Sequence, residues 1–162
     1  MMISLKHLNR RAGAVLVSLL LLLTLAVSAS AAVKMSVGVR FWREIGDKES
    51  MADSAVDTAR EATLTRQPNG TFTLELPVKQ ISSMNVTGSL TGIRIGEVNY
   101  EGTLSGELSN GTAVLTLKNL PASVLTGSDS NQALAVTCSI KMDTVLLGDI
   151  TTSARMSVWV ER

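Results

Sequence analysis

The chain has one histidine and one cysteine in 162 residues. The histidine, His7, lies in an N-terminal stretch that reads as a leader, so a mature chain beginning near Val33 carries none. Histidine is the usual general base near neutral pH and the commonest metal ligand. Its absence excludes Ser-His-Asp and Cys-His nucleophile systems and most zinc sites. A single cysteine, Cys138, excludes an internal disulfide. It falls on the apolar side of an alternating stretch, the position of a buried, inert thiol; an intermolecular disulfide would need it exposed. Aromatics are scarce: Phe41, Trp42, Phe72, Tyr100 and Trp159 are the whole set. An excess of one charge is lacking too. The 15 Lys and Arg and 14 Asp and Glu are scattered, which leaves neither a basic patch for nucleic acid nor an acidic tail.

The first 32 residues have the order of a secretory signal peptide. Lys6, Arg10 and Arg11 form a basic start. Ala12 to Val27 is almost purely apolar, and Ala29-Ser30-Ala31 or Ser30-Ala31-Ala32 supplies small residues for cleavage. An uncleaved anchor is the alternative, since residues 12–32 are just long enough to span a bilayer. Either way residues 33–162 are expected to be exported, to the medium or the cell surface, as one domain. Membrane contact would come only through the leader. About 130 residues can bury one core, and without a disulfide packing alone must hold it.

Period-two alternation recurs through that domain. Val33, Met35, Val37, Val39 and Phe41 alternate with Lys34, Ser36, Gly38, Arg40 and Trp42. Asn69-Gly70 and Asn110-Gly111 are strong hairpin turns. The first joins Ala62 to Arg66 with Thr71 to Val78; the second leads to Ala113, Leu115 and Leu117 on one face. Residues 86–106 read as twisted strand ends, and residues 125–131 as a polar loop. The last two strands carry Leu134, Val136, Cys138, Ile140 and Met142, then Ala154, Met156, Val158 and Val160, with residues 143–152 connecting them. Asn69, Asn85 and Asn110 each open an Asn-x-Thr triplet; two coincide with the turns, where turn chemistry explains them. Seven or eight short strands with regular turns imply an all-β sandwich, because one sheet cannot hide so many apolar faces.

One stretch departs from this pattern. Residues 41–56 leave the first strand at Phe41-Trp42, cross a charged turn, and offer about two turns of helix from Ser50. Ser50 is a fair N-cap, and Asp53 sits where the acidic partner of a capping box belongs. Such a helix either forms the lip of a groove or simply connects two strands.

The run Val37-Gly38-Val39-Arg40-Phe41-Trp42, the charged turn, and Glu49-Ser50-Met51-Ala52-Asp53-Ser54-Ala55-Val56 resemble the opening of a NEAT (near-iron transporter) domain. The hairpin from Ala62-Thr63-Leu64 through Asn69-Gly70-Thr71-Phe72-Thr73-Leu74 fits the same family. So does Met84-Asn85-Val86-Thr87-Gly88-Ser89-Leu90. The likeness covers most of residues 33–90 and is looser beyond. It implies an immunoglobulin-like β-sandwich of two antiparallel sheets, with a short lip helix after the first strand. It also implies a non-catalytic module of iron acquisition whose partner is haem, a host haemoprotein or another cell-surface protein. Haem would lie between the lip and the hairpin of the last two strands. Ser50 would then donate to a propionate and Met51 would pack on, or ligate, the iron face. Haem-binding members place two tyrosines four residues apart at the start of the last strand. Here that region, Ile150 to Ala154, has none. Ligation would fall to Met51, Met142, Met156 or a lysine, although core filling is the ordinary role of a methionine. Ile150 and Ala154 would line the slot. The rival expectation is a structural or adhesive protein-binding sandwich that has lost the haem site. Trp42 and Trp159 lie on polar faces, either tucked under a loop or serving as anchors for a partner protein.

Overall fold

In the computed structural model the residues described are 31–83, 86–143 and 148–161. Nearly all of the expected signal peptide, Met84, Asn85 with its triplet, and the apolar Val145-Leu146-Leu147 lie outside them. The strands are β1 (Val33–Arg43), β2 (Ala62–Arg66), β3 (Phe72–Pro77), β4 (Ile81–Ser83) and β5 (Val86–Ile95). Then come β6 (Val98–Glu101), β7 (Thr103–Ser105), β8 (Val114–Leu120), β9 (Leu134–Met142) and β10 (Asp149–Val160). Every pairing is antiparallel.

Hydrogen bonds link the strands in one continuous path, β4-β5-β9-β10-β1-β2-β3-β8-β7, with β6 also on β5. Two layers arise because the path folds at two corners. Val33 to Val37 of β1 pair with β2, whereas Val37 to Arg43 pair with β10. The second corner is Gly102, between β6 on one layer and β7 on the other. Corners made by strands that change sheet are the usual way to close such a sandwich. They also explain the strand count: the stretch expected as twisted ends becomes the short pieces β6 and β7.

The inward faces meet in a single core. Leu64, Leu74, Leu76, Leu115 and Leu117 face Phe41, Leu90, Ile93, Cys138, Ile140, Met156 and Val158, all essentially inaccessible. Cys138 lies there as a free thiol whose pKa burial pushes up to about 12, so it stays protonated and unreactive. Both Asn-Gly turns form as the sequence implies. Asn69 Oδ1 accepts from the Thr71 backbone N–H at 3.0 Å, and Asn110 Oδ1 from the Thr112 N–H at 3.1 Å. The connection expected over residues 143–152 is shorter, because β10 begins at Asp149 and pairs at once with Lys141.

Gly102 has no room for a side chain. A Cβ there would lie 2.3 Å from Leu115 Cδ1 and 2.9 Å from the Thr91 carbonyl oxygen, which accepts the Gly102 N–H at 2.8 Å. Gly102→Ala is therefore expected to cost about 1–3 kcal/mol by overpacking, read from urea unfolding. Leu115→Val, destabilising alone, should cost less in that background, because it vacates the space the new methyl needs.

Candidate functional site

The site grows out of a gap in pairing. Beyond Val37, β1 keeps β10 on one side but has lost β2 on the other. Buried backbone groups must be paired, and the chain meets the need by turning back on itself. Residues 44–48 make a turn, and the returning chain lies along the bare edge. Arg43 N–H donates to the Lys48 carbonyl at 2.8 Å and Ser50 N–H to the Phe41 carbonyl at 2.8 Å. Asp53 completes the cover, accepting the Phe41 N–H on Oδ1 at 2.7 Å.

This use of Asp53 corrects two expectations. The side chain does not close a capping box on Ser50; it reaches β1. The lip is also a single 3-10 turn, Met51–Ala55, and not two turns of α-helix. Its length is limited at both ends. Ser50 caps it, accepting the Ala52 N–H at 3.1 Å, and Val56 already forms a bridge to Val78. Lys79 N–H then donates to the Ala55 carbonyl at 2.8 Å. Ala52 and Ala55 point into the core, while Met51 is 43 % exposed. Small residues let the turn press close; the one large side chain faces out.

Ser50 and Met51 line a cavity of about 560 Å³, walled by Arg40, Arg43, Asp53 and Lys79. That volume lies in the range of ligand sites. Arg40 makes a 3.6 Å ion pair with Glu49, and Arg43 and Lys79 have no acidic partner among the described residues. Burial raises the pKa of Asp53, its largest influence, against the Phe41 N–H that lowers it. No group of three or more His, Cys, Asp or Glu is placed to hold a metal ion among the described residues.

The residues expected from the closing hairpin are not gathered with the lip. Met156 and Ala154 are shut in the core, and Met156 pairs across from Phe41. Met142 is half-buried, with its sulfur 2.9 Å from where a Gly88 Cβ would sit. Ile150 is half-buried against the core and borders a separate depression with Asn99, Glu101 and Ser139. None of these four lines the lip cavity. Tyr100 stands on β6, opposite Ile93.

Both tryptophans are half-buried on the outer face of β1 and β10. Trp42 Nε1 donates to Ser157 Oγ at 2.9 Å, and that fully buried hydroxyl donates on to the Asp129 carbonyl at 3.3 Å. Arg40 stacks over Trp42 at 5.4 Å. Trp159 lies across Gly38, where a Cβ would fall 2.2 Å from its ring. The stretch expected as a plain polar loop does much of this holding. Where β9 has not yet begun, Thr126 takes the edge of β10: its N–H donates to the Val158 carbonyl at 2.8 Å, and its hydroxyl accepts the Val158 N–H at 3.0 Å. Arg155 then ties this loop to the turn after β1, donating to the carbonyls of Ser130 at 2.8 Å, Arg43 at 3.0 Å and Gly46. Sequence reading missed Arg155; its position on an outer face among small polar residues was the available signal.

No protein-family profile and no curated protein matches this sequence. Solved structures do match in shape. One is the NEAT5 domain of IsdX2, a B. anthracis hemophore, in complex with heme. It has TM-score 0.51 and 8 % identity, over 82 % of this chain and 99 % of that one. A mutant of the same domain, also in complex with heme, matches with TM-score 0.52 and 8 % identity, over 82 % and 98 %. The protein thus has a NEAT-like, immunoglobulin-type β-sandwich fold, as the sequence resemblance implied.

Asp53 gives a test of the lip. A raised carboxyl pKa means the folded chain holds its proton more readily than the unfolded chain. Stability should then fall as pH rises from the ordinary carboxylate value through the raised one, and level off above it. Asp53→Asn keeps an acceptor and should flatten that slope. Asp53→Ala leaves the Phe41 N–H unpaired and should cost about 1–3 kcal/mol, read from unfolding at several pH values.

Proposed function

We propose that the protein is an exported, non-catalytic binding module of the NEAT type that takes haem or a haem-carrying protein. The observation that carries this reading is the Ser50-Met51 lip, set over a ligand-sized cavity on a NEAT-like fold. Export rests on the leader-like order of residues 1–32. A non-catalytic role is supported by what the rim carboxylates do. Asp53 holds the Phe41 N–H, Asp57 is paired with Arg60 at 2.7 Å, and Asp47 accepts the Ser130 hydroxyl. Each has a structural task.

The residues present fit haem in part: Met51 and Val56 are the apolar residues lining the lip cavity among the described residues, so the match is to its carboxylates and iron and not to the flat ring. Arg40, Arg43 and Lys79 suit its two carboxylates, and the Ser50 hydroxyl, 8 % exposed, donates to no partner among the described residues. Among the described residues Met51 is the only soft donor on the lip cavity and the residue that would meet the iron. Haem would supply the iron chemistry; the chain's own part is to bind and orient it. Met142, nested on Gly88, and Met156, in the core, fit less well.

A second reading has its own support. The start of β10 has no tyrosine, and Ala154 and Met156 are closed to a ligand. A structural or adhesive protein-binding sandwich without haem would look like this.

Titration of purified residues 33–162 with haemin separates the two. The haem reading expects a saturable Soret shift that Met51→Ala weakens by about tenfold or more, roughly 1.4 kcal/mol. Absence of a saturable shift would remove haem as the ligand and leave the adhesive reading standing. A shift indifferent to Met51→Ala would remove the assigned ligand residue.

A further inference from the structure

The lip does not cover all of the bare edge of β1. Val37 pairs with Ala62 on β2, and Phe41 pairs with Ser50 and Asp53. Between them stands Val39. In an antiparallel ladder alternate residues point their backbone groups to the same side. Val39 therefore aims its N–H and C=O the same way as Val37 and Phe41, away from β10. The far partner confirms the parity: Val158, opposite Val39, gives both of its groups to Thr126. Neither backbone group of Val39 has a hydrogen-bond partner among the described residues. Its edge opens into a cleft of about 400 Å³, bordered by Arg60, Glu61, Trp159 and Glu161.

We propose that this cleft is a docking site for an extended segment of a partner protein carrying a lysine or arginine. The backbone calls for extended chain, because one residue in β conformation satisfies an N–H and a C=O at once. A single-residue bridge is all the gap admits, between β2 on one side and the lip on the other. The chain already makes two such bridges on this rim, Trp42 to Glu49 and Val56 to Val78. Charge selects the side chain. Arg60 is engaged, donating to Asp57 and to the carbonyls of Val78 and Ala113. Glu61 and Glu161 are exposed and carry no ion pair among the described residues. The half-buried Trp159 ring adds a surface on which a cation can rest. The proposal does not rest on haem binding: neither Ser50 nor Met51 borders this cleft, although Arg40, paired with Glu49, lines both recesses.

Amide hydrogen exchange on haem-free protein tests the first half. Val39 should exchange far faster than Val37 and Phe41. Equal protection of all three would show the edge already covered and overturn the proposal. Titration with acetyl-Val-Arg-Val-amide, followed by backbone and indole NMR shifts, tests the second half. Shifts should centre on Val39, Arg40, Glu61 and the Trp159 indole. They should be lost with acetyl-Val-Glu-Val-amide, and the Arg peptide should bind about tenfold or more weaker to a Glu61→Lys, Glu161→Lys double variant. Both positions are on the surface, and an unchanged unfolding midpoint would show the variant folded. No shift with either peptide, equal response to both, or shifts elsewhere would overturn the site. Met51→Ala should leave the result unchanged whether or not haem binds.

Discussion

A strand that changes sheet leaves half of each of its edges bare, and the rim of this molecule is organised by how those edges are covered. β1 gives its first half to β2 and its second half only to β10. The two hydrogen bonds that Phe41 makes, to Ser50 and Asp53, replace the missing strand. From that need follow the turn over residues 44–48, the shortness of the 3-10 turn and the burial of Ala52 and Ala55. A longer helix would have taken up Val56, which is bridged to Val78. The lip is thus a β-edge cover first, and its outward side is what remains for a ligand.

The same problem recurs on β10 and is solved the same way. β9 begins at Leu134, opposite Met156, and Thr126 satisfies Val158 next along. Arg155 joins the two covers by bonding carbonyls from both. Trp42 and Trp159 belong to that framework through Ser157 and Gly38. Their half-buried rings still present one face, so loop burial and partner contact are not exclusive roles for them.

Most of the fold was legible in the chain because its signals are local. Alternation placed β1, β3, β8, β9 and β10, and Asn-Gly placed two turns, each through contacts only a few residues apart. The buried state of Cys138 followed from the same alternation. What could not be read was long-range. Asp53 three residues after Ser50 looks like a cap from sequence; its actual partner is on a strand twelve residues back. The corner at Gly102 depends on Leu115 and Thr91, which no local pattern links to it. Met142 and Met156 could not be told from Met51 by residue type, and burial separates them: one is nested on Gly88, one sealed, one open. The lip cavity was legible as far as Ser50 and Met51, while Arg43 and Lys79 came to it only through folding.

Net charge near zero concealed a separation of charge that matters for what this rim can hold. Asp47, Asp53 and Asp57 are each engaged in holding backbone, hydroxyl or guanidinium. With those acids engaged, Arg43 and Lys79 are left to face the lip cavity without acidic partners among the described residues. On the other side of Val56, Glu61 and Glu161 face the cleft beside Val39. The two recesses share a wall at Arg40, Val56 and Thr58. Exposed charges a Debye length apart are largely screened, so what a ligand senses is the nearest few side chains and not the sum over the chain. One recess therefore favours carboxylates and the other favours cations, although the sequence that builds both is almost neutral.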